Sequence, residues 1–209
     1  MSRGTNSDPY IAGRRTVADW QAFKPSLLAG QGARWPDAFQ DYFKARLESR
    51  YLAPIKLLQD HGTFQGEGFS IVAIQCTLIE FLAATLRGMS YRFVSQASPR
   101  LGAYEYSKSG KMFNDFLVTE QPFAAVFTQA VAEDFYASVR CGLLHEARTK
   151  NGWTIWAKGN AMIDPVRKIV FRDNLQTAIL DYVSQYGRTL LGDPALQAAF
   201  IRKFDDLAL

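Results

Sequence analysis

The chain has 209 residues, of which 48% are hydrophobic and 21% charged, and its formal net charge is +4. This length and composition suit one medium globular domain and exclude a fibrous or fully disordered chain. The weak positive charge is compatible with a polyanionic partner without identifying one. The N-terminus lacks the apolar core of a signal peptide, and no apolar run approaches the roughly 18–20 residues of a membrane helix. We therefore expect a soluble cytoplasmic protein that does not bind a membrane.

Cysteine and histidine are scarce, with two residues of each type: Cys76, Cys141, His61 and His145. Their positions show no zinc-ligand spacing, so we predict no metal site and no cofactor. Both cysteines lie in apolar stretches, which favours reduced core thiols over a disulfide between them.

The first 33 residues differ from the rest of the chain. They are rich in Gly, Ser, Pro and Arg and contain one short apolar periodic piece from Val17 to Leu28. This pattern predicts a loosely attached N-terminal arm with a short helix. Residues 34–209 then form the main domain.

Two helices should open that domain. Apolar residues step by four from Phe39 to Tyr51, which predicts a helix over 36–58 that Pro54 kinks or divides. The glycine-rich stretch 61–68 follows. It lacks the Lys-Ser/Thr pair and the preceding strand of a phosphate-binding loop, so we interpret it as a turn between helices.

The second helix, Gly68–Arg87, is apolar on almost every face, which is typical of a central or interface helix. Glu80 is an acidic exception within it. Either this carboxylate has a cationic or hydrogen-bonding partner, because an unpaired buried charge is costly, or it lies on the one solvated edge of the helix.

The middle of the chain mixes turn residues with aromatic ones. Residues 88–120 indicate a long connection with a short helix near 111–117, and the start signal at 119–122 favours a helix that continues to about Ala147, with a break near Thr128.

The last third contains strand and helix signals. Segments 151–156 and 168–171 predict a small β-hairpin, whose tryptophans either pack on the helices or stack on nucleic-acid bases. Two closing helices are predicted over 172–191 and 194–207, the second capped by Asp193. The fold class is therefore mostly α.

The most concentrated chemistry lies in Arg140-Cys-Gly-Leu-Leu-His145. Arginine offers a fork of donors to phosphate oxygens, and histidine exchanges protons near neutral pH. A five-residue spacing separates the two side chains by about 140° around a regular helix. Either Gly142 relaxes the helix, or a second copy of the chain completes the site across a two-fold axis.

This segment resembles the signature of the HEPN superfamily, an Arg followed four to six residues later by His on one helix. The resemblance covers about residues 35–192, including Tyr42-Phe-Lys-Ala-Arg-Leu and Val72-Ala-Ile-Gln-Cys-Thr-Leu-Ile-Glu80. It implies a HEPN-like helical bundle, here with the small β-hairpin after the signature helix. Many HEPN members are metal-independent endoribonucleases that act as homodimers. Members often carry a polar residue directly after the signature Arg, where this chain has Cys141.

The resemblance implies a hydrolase that cleaves RNA, serves as a toxin or in defence, and has an antitoxin or regulatory protein as a candidate partner. Arg140 and His145 are the catalytic candidates, with Glu80, Cys141 and Glu146 as supporting candidates. The alternative is a non-catalytic helical interaction module in which Arg140 forms a structural ion pair with Glu80 or Glu133. Cys141 as a nucleophile beside His145 is a further candidate, four residues apart on the helix.

Overall fold

The computed structural model describes residues 10–29, 32–63, 65–97 and 100–209. In this part of the chain the protein is mostly helical, as the sequence predicts. The helices longer than two turns are α1 Val17–Leu28, α2 35–61, α3 Glu67–Arg87, α4 Ser109–Thr119, α5 129–146, α6 Arg172–Leu190 and α7 Pro194–Leu207. The short strands are β1 Tyr10–Ala12, β2 Arg15–Thr16, β3 Ser90–Tyr91, β4 Glu105–Tyr106, β5 Thr154–Trp156, β6 Ile163–Asp164 and β7 Ile169–Phe171.

Helix α3 is the central element, as its apolar sequence predicts, and it contacts α2, α4, α5, α6 and α7. Among the described residues it is the one helix long and apolar enough to cross a membrane, and 56% of its most apolar window is buried in the fold. Packing against the other helices accounts for this composition.

Helix α2 continues past the predicted end at Leu58 to His61 and includes two π-helical stretches, Ala38–Lys44 and Glu48–Leu52. Pro54 lies just after the second of these, in the first turn of the α-helical piece Ala53–His61. Pro54 has no backbone N–H to donate within the continuous helix, and it lies where the helical hydrogen-bond pattern changes from π to α.

The N-terminal segment is not loosely attached where it is described; residues 1–9, 30 and 31 of the predicted arm lie outside the described residues. The short helix is confirmed as α1, which a capping box formed by Thr16 and Asp19 begins. Trp20 is 1% exposed, and its indole Nε1 donates to Asp205 Oδ1 of α7 at 2.9 Å. The expectation of loose attachment is wrong because this indole is buried against the aromatic side chains of α2 and α7.

The predicted hairpin has a different topology. Strand β5 runs parallel to β7, and β6, which the sequence did not reveal, pairs antiparallel with β7. The sheet order is therefore β5-β7-β6. The two predicted strands exist and pair, but the hairpin is formed by β6 and β7.

The start of α5 also differs from the sequence prediction. The segment after Pro122 forms only the short 3-10 turn Phe123–Ala125, and α5 begins at Gln129. Thr128, where a break is predicted, is the N-cap, and its hydroxyl accepts from the amide of Val131.

The closing helices α6 and α7 are confirmed, and Asp193 caps α7 through the amides of Ala195 and Leu196.

Candidate functional site

Arg140 lies at the end of a π-helical turn, Tyr136–Arg140, in the middle of α5. The turn is closed by a hydrogen bond from the Cys141 amide to the Tyr136 carbonyl, five residues back. Such turns insert one extra residue into a helix and often occur at functional sites. Here the turn places Tyr136 beside the guanidinium of Arg140, whose Cζ lies 5.2 Å from the ring centroid.

Glu80 of α3 is the partner of this guanidinium. Arg140 Nη2 donates to Glu80 Oε2 at 2.9 Å, and the two side chains are 17% and 16% exposed. The hydroxyl of Tyr106 donates to the other carboxylate oxygen, Oε1, at 3.3 Å. Of the partners that the sequence left open for Arg140, the structure therefore shows Glu80, whereas Glu133 accepts a hydrogen bond from Gln129 on the surface.

The ionisation of the neighbouring groups reflects this environment. Burial raises the pKa of Tyr136 to about 12, and burial together with the charge of Glu80 raises the pKa of Tyr106. Burial alone would lower the pKa of Arg140, but Tyr136 and Glu80 raise it above its ordinary value. Both tyrosines are thus neutral and Arg140 is charged at physiological pH.

This ion pair lines an open cleft of about 670 Å³. The cleft has the size of a small-molecule or nucleotide pocket. Its walls come from α2, α3, the β3–β4 region, α5 and α7, with an aromatic lining formed by Tyr51, Phe81, Tyr91, Tyr106 and Tyr136. A second cation, Lys203 of α7, lies in the same wall and donates to the Met89 carbonyl at 3.0 Å. Its pKa is lowered by burial.

His145 and Glu146 lie elsewhere on the helix. Leu144, rather than His145, is the residue near the end of α5 that lines the cleft. The imidazole of His145 is exposed and makes no hydrogen bond or ion pair within the described part of the chain. Glu146 pairs with Arg148 and Lys150 on the surface. The structure therefore brings Arg140 and Glu80 together and leaves His145 and Glu146 outside that cleft.

The comparisons with known proteins were negative. Protein-family models, curated proteins and solved structures gave no match to this chain.

Cys141 is half-buried and contacts Arg140 and Tyr136 through its thiol. The hypothesis that Cys141 is a nucleophile requires a contact between this thiol and His145. Within the described residues the thiol lies beside the guanidinium of Arg140 instead, and no hydrogen bond joins it to His145. Cys76 is fully buried in α3, and burial raises its pKa to about 12. Both cysteines are free thiols, and the prediction of a core position is confirmed for Cys76 but not for the half-buried Cys141.

Gly142 has a packing role in the structure. A Cβ at this position would lie 2.5 Å from the carbonyl oxygen of Arg148. The chain turns back there, and the Lys150 amide donates to the Ser138 carbonyl at 2.9 Å. Glycine is needed because the returning loop passes directly over the helix.

The sequence prediction missed Tyr106, Tyr136 and Lys203. Tyr136 precedes Arg140 by four residues on one helix, a spacing that brings side chains together and could have identified it. Lys203 interrupts the apolar face of α7, and a charged residue at such a position can be recognised from the sequence. Tyr106 lies in an irregular connection, and no local pattern marks it.

Proposed function

We propose that this protein is a HEPN-like, metal-independent endoribonuclease that acts as a homodimer, with Arg140 and His145 as its catalytic residues. The observation that carries the proposal is the fixed, charged guanidinium of Arg140 in the wall of an open aromatic cleft. The pair with Glu80 uses Nη2, which leaves other N–H donors of the guanidinium for a phosphate oxygen.

The reaction follows from the chemistry of these side chains. A base removes the proton of the RNA 2′-hydroxyl, the 2′-oxygen bonds to phosphorus, and the bond from phosphorus to the 5′-oxygen breaks. An acid then protonates the departing 5′-oxygen. Histidine can perform either proton transfer near neutral pH, and Arg140 stabilises the negative charge that develops on the phosphate.

The proposal requires a site built by two chains. Because His145 is exposed at the end of α5 and does not line the Arg140 cleft, one chain alone does not assemble both groups. A two-fold axis beside the end of α5 would bring two His145 side chains together, one as base and one as acid. Such a cytoplasmic enzyme could act as a toxin or in defence, restrained by an antitoxin or regulatory protein.

The test is cleavage of single-stranded RNA in EDTA. His145→Ala and Arg140→Ala should each reduce the rate by at least about 100-fold, because each removes a proton-transfer or charge-stabilising group. His61→Ala is the matched control, since His61 is exposed at the end of α2 and should leave the rate unchanged. Equal rates for the wild type and His145→Ala would refute the proposed role.

A specific observation favours a second candidate, a non-catalytic interaction module. Arg140 and Glu80 form a mostly buried ion pair between two core helices, as a structural pair does. In that case the wild type cleaves no RNA with or without Mg²⁺, and Arg140→Ala lowers only the melting temperature.

A further inference from the structure

Residues 148–172, which follow α5, carry the excess positive charge of the chain. They contain six basic side chains and one acidic side chain, a net charge of +5 against +4 for all 209 residues. Four of these cations have carboxylate partners: Arg148, Lys150, Lys168 and Arg172. The other two, Lys158 and Arg167, are exposed and form no ion pair within the described residues.

Both unpaired cations line one cleft of about 370 Å³ together with Trp156. The indole is 50% exposed, whereas the chain's other three tryptophans, Trp20, Trp35 and Trp153, are 1%, 4% and 3% exposed. The Arg167 guanidinium lies 5.5 Å from the ring centroid of Trp156. An exposed indole beside unpaired cations is the combination that proteins use to stack a base and hold the adjoining phosphates.

The loop after β5, which carries Lys158, is held against α6 and Phe171. Asn174 of α6 accepts from the Gly159 amide at 3.0 Å and donates to the Gly159 carbonyl at 2.9 Å. A Cβ on Gly159 would lie 2.4 Å from the ring of Phe171, so the loop lies directly on this ring. A site that is ordered before binding loses little conformational entropy when the ligand arrives.

The acidic residue of the cleft, Asp164, is engaged in its own turn. Its Oδ1 accepts from the backbone amides of Val166 and Arg167 at 3.1 and 2.9 Å. These bonds hold the turn that presents Arg167. With two cations, Lys158 and Arg167, against this one carboxylate, the side chains that line the cleft carry a net positive charge.

We infer that Trp156, Lys158 and Arg167 form a binding site for single-stranded RNA, with a base stacked on the indole and the two cations at backbone phosphates. None of the three lines the cleft that contains Arg140, so the site is a separate anchoring point for the strand. The choice of RNA as ligand rests on the proposed function.

Binding of a labelled oligouridylate to the full-length chain, measured in EDTA on a His145→Ala background, tests this site. Trp156→Ala should weaken binding by about 5-fold or more, the loss expected for one stacked base, and Trp156→Phe should restore most of the affinity. Because Trp156 is the exposed tryptophan, RNA should also quench its fluorescence. The double variant with Lys158→Ala and Arg167→Ala should show a weaker dependence of RNA binding on salt. The slope of the logarithm of the association constant against the logarithm of the salt concentration should fall in magnitude by about 0.7 for each phosphate that the two cations neutralise in the parent protein.

The controls are an exposed aromatic and an exposed cation elsewhere, Phe93→Ala and Arg188→Ala, which should bind as the parent does. Phe93 is 73% exposed. Unchanged affinity in Trp156→Ala, an unchanged salt slope in the double variant, or equal affinity for duplex RNA would each overturn the site. Cleavage is a separate readout: a His145→Ala protein that still cuts RNA refutes the proposed function and leaves the binding result intact.

Discussion

Glu80 and Arg140 show how a charged pair is accommodated between two core helices. Each ion loses most of its hydration, and the cost is offset by their direct contact at 2.9 Å and by the hydroxyl of Tyr106 on the second carboxylate oxygen. The Nε of Arg140 is buried without a hydrogen bond among the described residues. Removing the carboxylate would leave a nearly buried cation with no counter-ion, which is more costly than replacing both partners.

We therefore expect Glu80→Ala to lower the free energy of unfolding by about 1–3 kcal/mol, with the opening of the cleft to solvent keeping the loss below that of a fully enclosed pair. Urea denaturation measures this change. The matched control is Glu133→Ala, which removes an exposed glutamate from α5 and should change stability by less than about 0.5 kcal/mol. Equal effects of the two substitutions would contradict a stabilising role for Glu80.

At the scale of elements, Asp134 joins α5 to the small sheet. Its carboxylate accepts hydrogen bonds from the Ser138 hydroxyl at 2.7 Å and from the Trp153 indole at 3.0 Å, and it pairs with Lys168 at 3.0 Å. Burial tends to raise the pKa of Asp134, but these three partners outweigh it and hold the pKa below its ordinary value of 3.8. An ionised carboxylate therefore links the helix that carries Arg140 to Trp153 and Lys168, which lie next to strands β5 and β7.

A carboxyl group whose pKa is lower in the folded state than in the unfolded state stabilises the fold at pH values above its unfolded-state pKa. This stabilisation is lost as the pH falls through the pKa of the folded state. Asp134→Asn should therefore cost about 1–2 kcal/mol at pH 7, and its difference from the wild type should shrink below about pH 4. Thermal unfolding across this pH range measures the difference. Asp181→Asn, a change at an exposed position of α6, should show neither effect, and a pH-independent loss in Asp134→Asn would argue against the ionised contact.

At the scale of the whole molecule, the proposed dimer needs a surface at the end of α5. Leu144 is 46% exposed directly beside His145, so a contact there would bury an apolar side chain and bring the two imidazoles together. One chain has a mass of 23.5 kDa.

Light scattering should accordingly give about twice the single-chain mass for the wild type and the single-chain mass for Leu144→Asp, because a buried unpaired carboxylate opposes association. The same variant should lose RNA cleavage together with the dimer. Leu57→Asp is the control, since Leu57 of α2 is 61% exposed and should leave both properties unchanged. A monomeric wild type, or a dimeric and fully active Leu144→Asp, would contradict a site shared between two chains.

Local sequence signals are sufficient to predict several elements of this fold. Periodicity and terminal residues located α3, α6 and α7, and Asp193 was identified as a cap, because hydrogen bonds within one helical turn depend only on neighbouring residues. The apolar composition of α3 also predicted its central position. The sequence also indicates that the carboxylate of Glu80 requires either a partner or solvent.

Contacts between residues far apart in the chain follow only from the three-dimensional packing. The pairing of Glu80 with Arg140, the parallel alignment of β5 with β7 and the packing of Trp20 on α7 all join residues far apart in the chain. Such contacts depend on how side chains fill a shared interior, and no local pattern encodes them. The Arg140–His145 signature shows this limit. The local pattern identifies both residues as candidates, but only the fold shows that Arg140 lines the cleft and that His145 lies outside it.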